Sequence, residues 1–317
     1  LYRMDFDDAL VDAPFAAAPD TSAGPLASAT GDSLAGPQIT VQNAAPGRWY
    51  VVLSNNANEA ADIQLRAEMT FGDAAVELRS GLWQPSSRPD LRQGFDFARS
   101  GGFRAFLWYT YDDDGQPTWY QAADPEPVGN VWVAELQRFT NNGLLQQYKP
   151  VGYVSLTALA EDDTIFSFSV FGEEGSDRMF PSSPSECALV ADANASYTGI
   201  WSRSQVGVGG ASVLVNEASQ GYLHYIYDGF GNPVWLQGAD VTDGLPQAEV
   251  PLMQFNGYCA VCNGDMPQSR EVGVFSIQYS GEQAAGWNLD YLLASPLSGS
   301  VNRSDTVGKL TSPLGCQ

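Results

Sequence analysis

The stretch Leu107-Trp108-Tyr109-Thr110-Tyr111-Asp112-Asp113-Asp114-Gly115-Gln116-Pro117-Thr118-Trp119-Tyr120-Gln121-Ala122-Ala123-Asp124 returns 116 residues later as Leu223-His224-Tyr225-Ile226-Tyr227-Asp228-Gly229-Phe230-Gly231-Asn232-Pro233-Val234-Trp235-Leu236-Gln237-Gly238-Ala239-Asp240. Ten of the eighteen paired positions are identical. An echo at fixed register implies a duplicated supersecondary unit. Each copy reads as a β-hairpin. Phe103, Ala105, Leu107, Tyr109 and Tyr111 alternate on one face, and Asp112 to Gly115 reverse the chain. Pro117 then opens the returning strand, where its missing N–H is tolerated.

Working outward, each repeat begins with a Gly-x-Trp, at Gly81-Leu82-Trp83 and Gly199-Ile200-Trp201. A glycine-led strand follows in register, at Gly94-Phe95-Asp96-Phe97 and Gly210-Ala211-Ser212-Val213. Leu136 and Phe139 match Leu252 and Phe255. The offset then grows to 121, pairing Val151-Gly152 with Val272-Gly273, so five extra residues lie in the loop holding Cys259 and Cys262. The last strands expected are Thr164–Phe171 and Trp287–Leu293. Each repeat therefore predicts seven or eight antiparallel strands and no helix. A sheet of that size hides its edges by closing or by folding into a sandwich, so an all-β protein with up-and-down barrels or meander sandwiches is expected. The expected domains are 1–78, an N-terminal arm and β-sandwich-like region, then 79–185 and 186–317, the two repeats.

The chain carries 37 acids against 15 bases, a formal charge of −22. Such a surface repels nucleic acid and anionic lipid and favours solubility. No stretch approaches the roughly 18–20 apolar residues of a membrane-spanning helix. The expectation is no nucleic-acid partner and no membrane insertion. The start at Leu1 reads as a mature or truncated product. Four cysteines in a Gly- and Asp-rich chain with two lysines point to disulfides and an extracellular or cell-surface location. They allow three pairings. A local Cys259–Cys262 bridge and a Cys187–Cys316 clasp across the second repeat are the expected ones, the latter contributing about 4–5 kcal/mol in the chain-entropy account.

Two longer patterns resemble known families. Residues 38–71, with Ala45-Pro46-Gly47-Arg48-Trp49-Tyr50-Val51-Val52-Leu53-Ser54-Asn55 and the alternating Asp62-Ile63-Gln64-Leu65-Arg66-Ala67-Glu68-Met69, resemble the end of the bacterial pre-peptidase C-terminal domain. That resemblance implies a small β-sandwich appended to a secreted enzyme. The block Trp108-Tyr109-Thr110-Tyr111-Asp112 through Gly115, Pro117 and Trp119 is similar to tandem β-repeats of exported Gram-negative bacterial proteins, over residues 80–312. The second copy departs from that pattern at His224 and Leu236. The opening Gly-x-Trp is also similar to that of lipocalin and avidin barrels.

Residues that could carry chemistry are few. Tyr109, Tyr111, Trp119 and Gln121, with Tyr225, Tyr227, Trp235 and Gln237, combine flat faces with amides as glycan and small-ligand sites do. The competing reading has the rings filling a core. Phe230, at the tip of the second turn, is a candidate contact point. Asp112 and Asp114 could offer carboxylates to Ca²⁺, but Asp and Gly are also what a tight turn selects. His224, the only histidine, replaces a Trp and reads as packing. Cys259 and Cys262 have no second ligand pair for zinc. No catalytic residue, metal or cofactor is expected. The leading expectation is a non-catalytic secreted or cell-surface module for adhesion, glycan or polymer contact, or self-assembly, the last through the long N-terminal arm adding a strand to a neighbour. The alternative is the accessory region of a secreted hydrolase whose catalytic domain lies upstream.

Overall fold

The computed structural model describes Tyr2–Met4, Arg48–Tyr50 and residues 76–311, except for short stretches at 87–91, 101–102, 125–126, 128–129, 142, 144–145, 183–188, 191–194, 204–208, 242–244 and 258–266. All described regular structure is β. In the N-terminal unit, β1 (Tyr2–Met4) pairs antiparallel with β2 (Arg48–Tyr50). The rest of the expected sandwich region and all four cysteines, hence both expected disulfides, lie outside the described residues.

Residues from Met69 onward form a second compact unit containing two closed barrels. The first runs β3 (Gly81–Pro85), β4 (Gly94–Ser100), β5 (Phe103–Tyr111), β6 (Pro117–Asp124), β7 (Val131–Asn141), β8 (Gln146–Ala160), β9 (Asp163–Val170) and β10 (Glu173–Pro181). After a two-residue hairpin, β11 (Leu189–Val190) and β12 (Ala195–Ser196), comes the second. It runs β13 (Gly199–Arg203), β14 (Gly210–Val215), β15 (Ser219–Tyr227), β16 (Pro233–Val241), β17 (Gln247–Asn256), β18 (Gln268–Tyr279), β19 (Ala284–Leu292) and β20 (Ser300–Lys309). Each strand pairs with its neighbour in sequence, and β10 closes on β3 as β20 closes on β13. This is the up-and-down solution to the edge problem. Matching bulges at Leu136/Gln137 and Leu252/Met253 show that the copies share even their irregularities.

The structure corrects the sequence reading at the last strand of each repeat. The expected final segments are β9 and β19, and β10 and β20 lie beyond them. Those two strands, Glu173-Glu174-Gly175-Ser176-Asp177-Arg178 and Ser300-Val301-Asn302-Arg303-Ser304-Asp305, carry almost no apolar alternation. They become strands because β9 and β3, or β19 and β13, offer unsatisfied ladders on both sides.

An eight-stranded barrel is just wide enough for its own side chains to fill it, or to hold one small ligand. In barrel 1, Trp83, Phe95, Phe106, Trp108, Trp132 and Phe166 fill the interior. In barrel 2, Trp201, Tyr222, Phe275, Tyr279 and Trp287 do so. Among the described residues, these side chains occupy both interiors.

Candidate functional site

The face Leu107, Tyr109, Tyr111 and its returning partner Trp119 does not point into barrel 1. Phe106, Trp108 and Tyr120 take the inner positions, so period two sends the neighbouring rings outward. They are covered because the second barrel presents the same face to them. Tyr111, Trp119, Leu223, Tyr225, Trp235 and Phe255 form a third apolar cluster, with Leu82, Leu107, Tyr109, Phe139, Tyr227 and Met253 packed against it.

This joint is a pseudo-two-fold. Trp119 Nε1 donates to the Ile226 carbonyl at 3.2 Å, and Trp235 Nε1 donates to the Thr110 carbonyl at 2.7 Å. Trp235 meets Tyr109 and Tyr111 edge-on at 5.8 and 5.6 Å, while Trp119 meets Tyr225 and Tyr227 edge-on at 5.7 Å each. Each Trp stacks on a ring of its own barrel, Trp119 on Phe139 and Trp235 on Phe255. The ends of β7 and β17 reach across in the same reciprocal way. Asn141 N–H donates to the Gly231 carbonyl at 2.9 Å, and Gly257 N–H to the Gly115 carbonyl at 2.8 Å. These ring and backbone contacts come in mates related by the repeat, as in an isologous dimer interface, but within one chain.

At the centre of this joint the symmetry meets its own mate. Ser212 Oγ donates to Asp96 Oδ2 across the barrels, and these residues occupy equivalent positions in β14 and β4. Tyr225 Oη lies 3.0 Å from Ser212 Oγ. Asp96 is only 4% exposed, and burial pushes its carboxyl up to about 6, partly opposed by the Ser212 bond. Burial first, and the Asp96 charge second, also hold the Tyr109 and Tyr225 phenols above their ordinary range.

The other expected site residues fall as follows. Gln121 and Gln237 are half-buried on the same outer face, opposite Leu107 and Leu223 in their ladders. Asp112 Oδ1 accepts from the Asp114 and Gln116 N–H groups at 3.1 and 2.8 Å. Asp228 Oδ1 accepts from Phe230 and Asn232 at 2.9 and 2.8 Å. Both aspartates therefore close their own turns. Asp114 is exposed, and among the described residues no three potential metal ligands gather. His224 lies inside barrel 2 against Phe275 and Trp287, and burial lowers its pKa to about 3, so the ring is neutral.

Phe230 is 79% exposed at its turn tip. Three further exposed rings were not singled out from the sequence: Tyr148, Tyr153 and Phe171. The usable signal was phase. Val154, Leu156 and Ala158 point inward, so Tyr153 must point out. Phe171 occupies the left-handed region at φ 52°, a strained choice for a bulky residue, with its ring 6.4 Å from Tyr120 and the Lys149 ammonium 5.7 Å from its centroid. Barrel 2 exposes apolar side chains at the equivalent places, Val274 and Leu292. No family model, curated protein or solved structure matches the chain.

Proposed function

We propose that this protein is a non-catalytic extracellular module that contacts a neutral polysaccharide through its exposed rings, with the two barrels held as one rigid unit by the tryptophan joint. The observation that carries the reading is the pairing of exposed apolar residues at matched positions, Tyr153 and Phe171 in one barrel with Val274 and Leu292 in the other. A repeated surface suits a repeated ligand, since two weak contacts on one rigid body reinforce each other. Aromatic faces suit the apolar faces of sugar rings, and Tyr148, Tyr153, Phe171 and Phe230 supply four of them. The charge of −22 disfavours anionic polymers as partners. The strained φ of Phe171 supports a role for its ring beyond folding, because glycine would close the same turn without cost.

The test is a pull-down on insoluble neutral polysaccharides and a glycan array with wild type and the Tyr153→Ala, Phe171→Gly and Phe230→Ala variants. Binding that falls at least tenfold in the combined variant, with the fold retained and no loss of stability, supports the reading. Unaltered binding, or none by the wild type, removes it.

A further inference from the structure

We propose that the joint between the barrels is an acid-locked clasp with Asp96 as its titrating group, closed firmly while that carboxyl is neutral and loosened when it ionises. The geometry is that of a charge site with no countercharge. Asp96 sits on β4 at the centre of the pseudo-two-fold, where its structural mate is the uncharged Ser212. The groups facing it are the Ser212 hydroxyl from β14, the Tyr225 phenol from β15 and the Tyr109 phenol from β5. Both phenols stay neutral, since their titration is displaced upward. Arg92, which precedes β4, is exposed and acts on Tyr109. From β3 the neighbouring residues along the adjacent cleft are Gly81 and Leu82, and from β14 they are Val213 and Leu214, none of which can carry charge.

One hydroxyl bond does not repay the desolvation of a carboxylate. A neutral carboxyl in the same place keeps the bond at little cost. Separating the barrels returns Asp96 to water and to its ordinary 3.8, against about 6 when docked. The docked form therefore holds its proton more tightly, so its advantage is complete below about pH 4 and is lost as pH rises through 6. That separation amounts to about a hundredfold in the docking equilibrium between acid and neutral pH.

The indole N–H groups of Trp119 and Trp235 report directly on the joint, because each donates across it. Their hydrogen-exchange protection, measured by NMR on the full chain and corrected for intrinsic rates, is expected to fall about a hundredfold from pH 4 to pH 7 in the wild type. In Asp96→Asn, which keeps the shape and the Ser212 bond, protection is expected to stay at the acid value throughout. A flat wild-type profile, or an equal fall in Asp96→Asn, overturns the proposal. A second measurement needs no variant: the carboxyl carbon shift of Asp96 in the wild type should titrate near pH 6, and a midpoint near 4 overturns the proposal equally.

Discussion

The two barrels share a fold, a closure and a joint, yet they keep their cores in different ways. Barrel 1 packs Trp108 tilted or edge-on against Tyr120, Phe166 and Phe168, with ring centroids 4.5–5.4 Å apart. At the matched positions barrel 2 has His224 and Leu236, with His224 edge-on to Phe275 and Trp287. The price is polar: His224 Nε2 is buried with no protein hydrogen-bond partner. The joint, in contrast, keeps its central rings in both copies, Tyr109 with Tyr225, Tyr111 with Tyr227 and Trp119 with Trp235, and departs from symmetry at Asp96 and Ser212. Rings that meet the same partners from either side must fit one geometry, as in an isologous interface.

The largest expected effects fall on these rings. Trp235→Ala removes a fully buried ring and its bond to Thr110, at a cost of about 3–5 kcal/mol in denaturant unfolding. Trp119→Ala should cost somewhat less, its bond being longer. If the barrels are one cooperative unit, the double variant will show coupling rather than simple addition, and a single additive transition would break the comparison.

A difference between the barrels appears next, with pH. His224 is held neutral by burial, its pKa depressed from 6.5 to about 3. The folded form therefore binds this proton less readily than the unfolded one. Stability from this source is whole above 6.5 and lost as pH falls toward 3. His224→Leu should remove that acid limb, shifting the low-pH midpoint of unfolding downward while barrel 1 is untouched. An unchanged acid profile would show that barrel 2 is not the weaker half below neutrality.

The turns sharpen the symmetry. A Cβ on Gly231 would lie 2.0 Å from the Asn141 carbonyl, whereas on Gly115 the nearest atom, Gly257 Cα, is 3.1 Å away. Both glycines have positive φ, which alone costs a side chain about 1–2 kcal/mol. Gly231→Ala should thus be clearly worse than Gly115→Ala by thermal unfolding, and equal losses would mean that the turns, not the docking, set the cost. Smallest is Phe171→Gly. Relief of the left-handed strain should raise stability by about 0.5–1 kcal/mol while glycan contact weakens.

Much of this was readable in advance. The duplication, the Asp-to-Gly turns, Pro117 and Pro233 at their strand starts and the lack of helices follow from period and turn chemistry. What was not readable has one cause. Alternation divides a strand into two faces without saying which is inside. Leu107, Tyr109, Tyr111 and Trp119 look like core residues because they are buried, but they lie on the outer wall and are buried by the second copy. Likewise β10 and β20 lack any pattern of their own, since the ladders around them supply the reason to be extended. Asp96 and Ser212 stood in register in the sequence, with no sign that they would touch.

By itself, then, the sequence determined a twice-repeated antiparallel unit, its turns and its register, because these depend on neighbours along the chain. Only the tertiary structure decided which face of the hairpin is inside, that the barrels close, and that the copies clasp through reciprocal tryptophans around one buried carboxyl. Those outcomes depend on what packs across space, and a period-two pattern carries the same letters whichever side the partner takes.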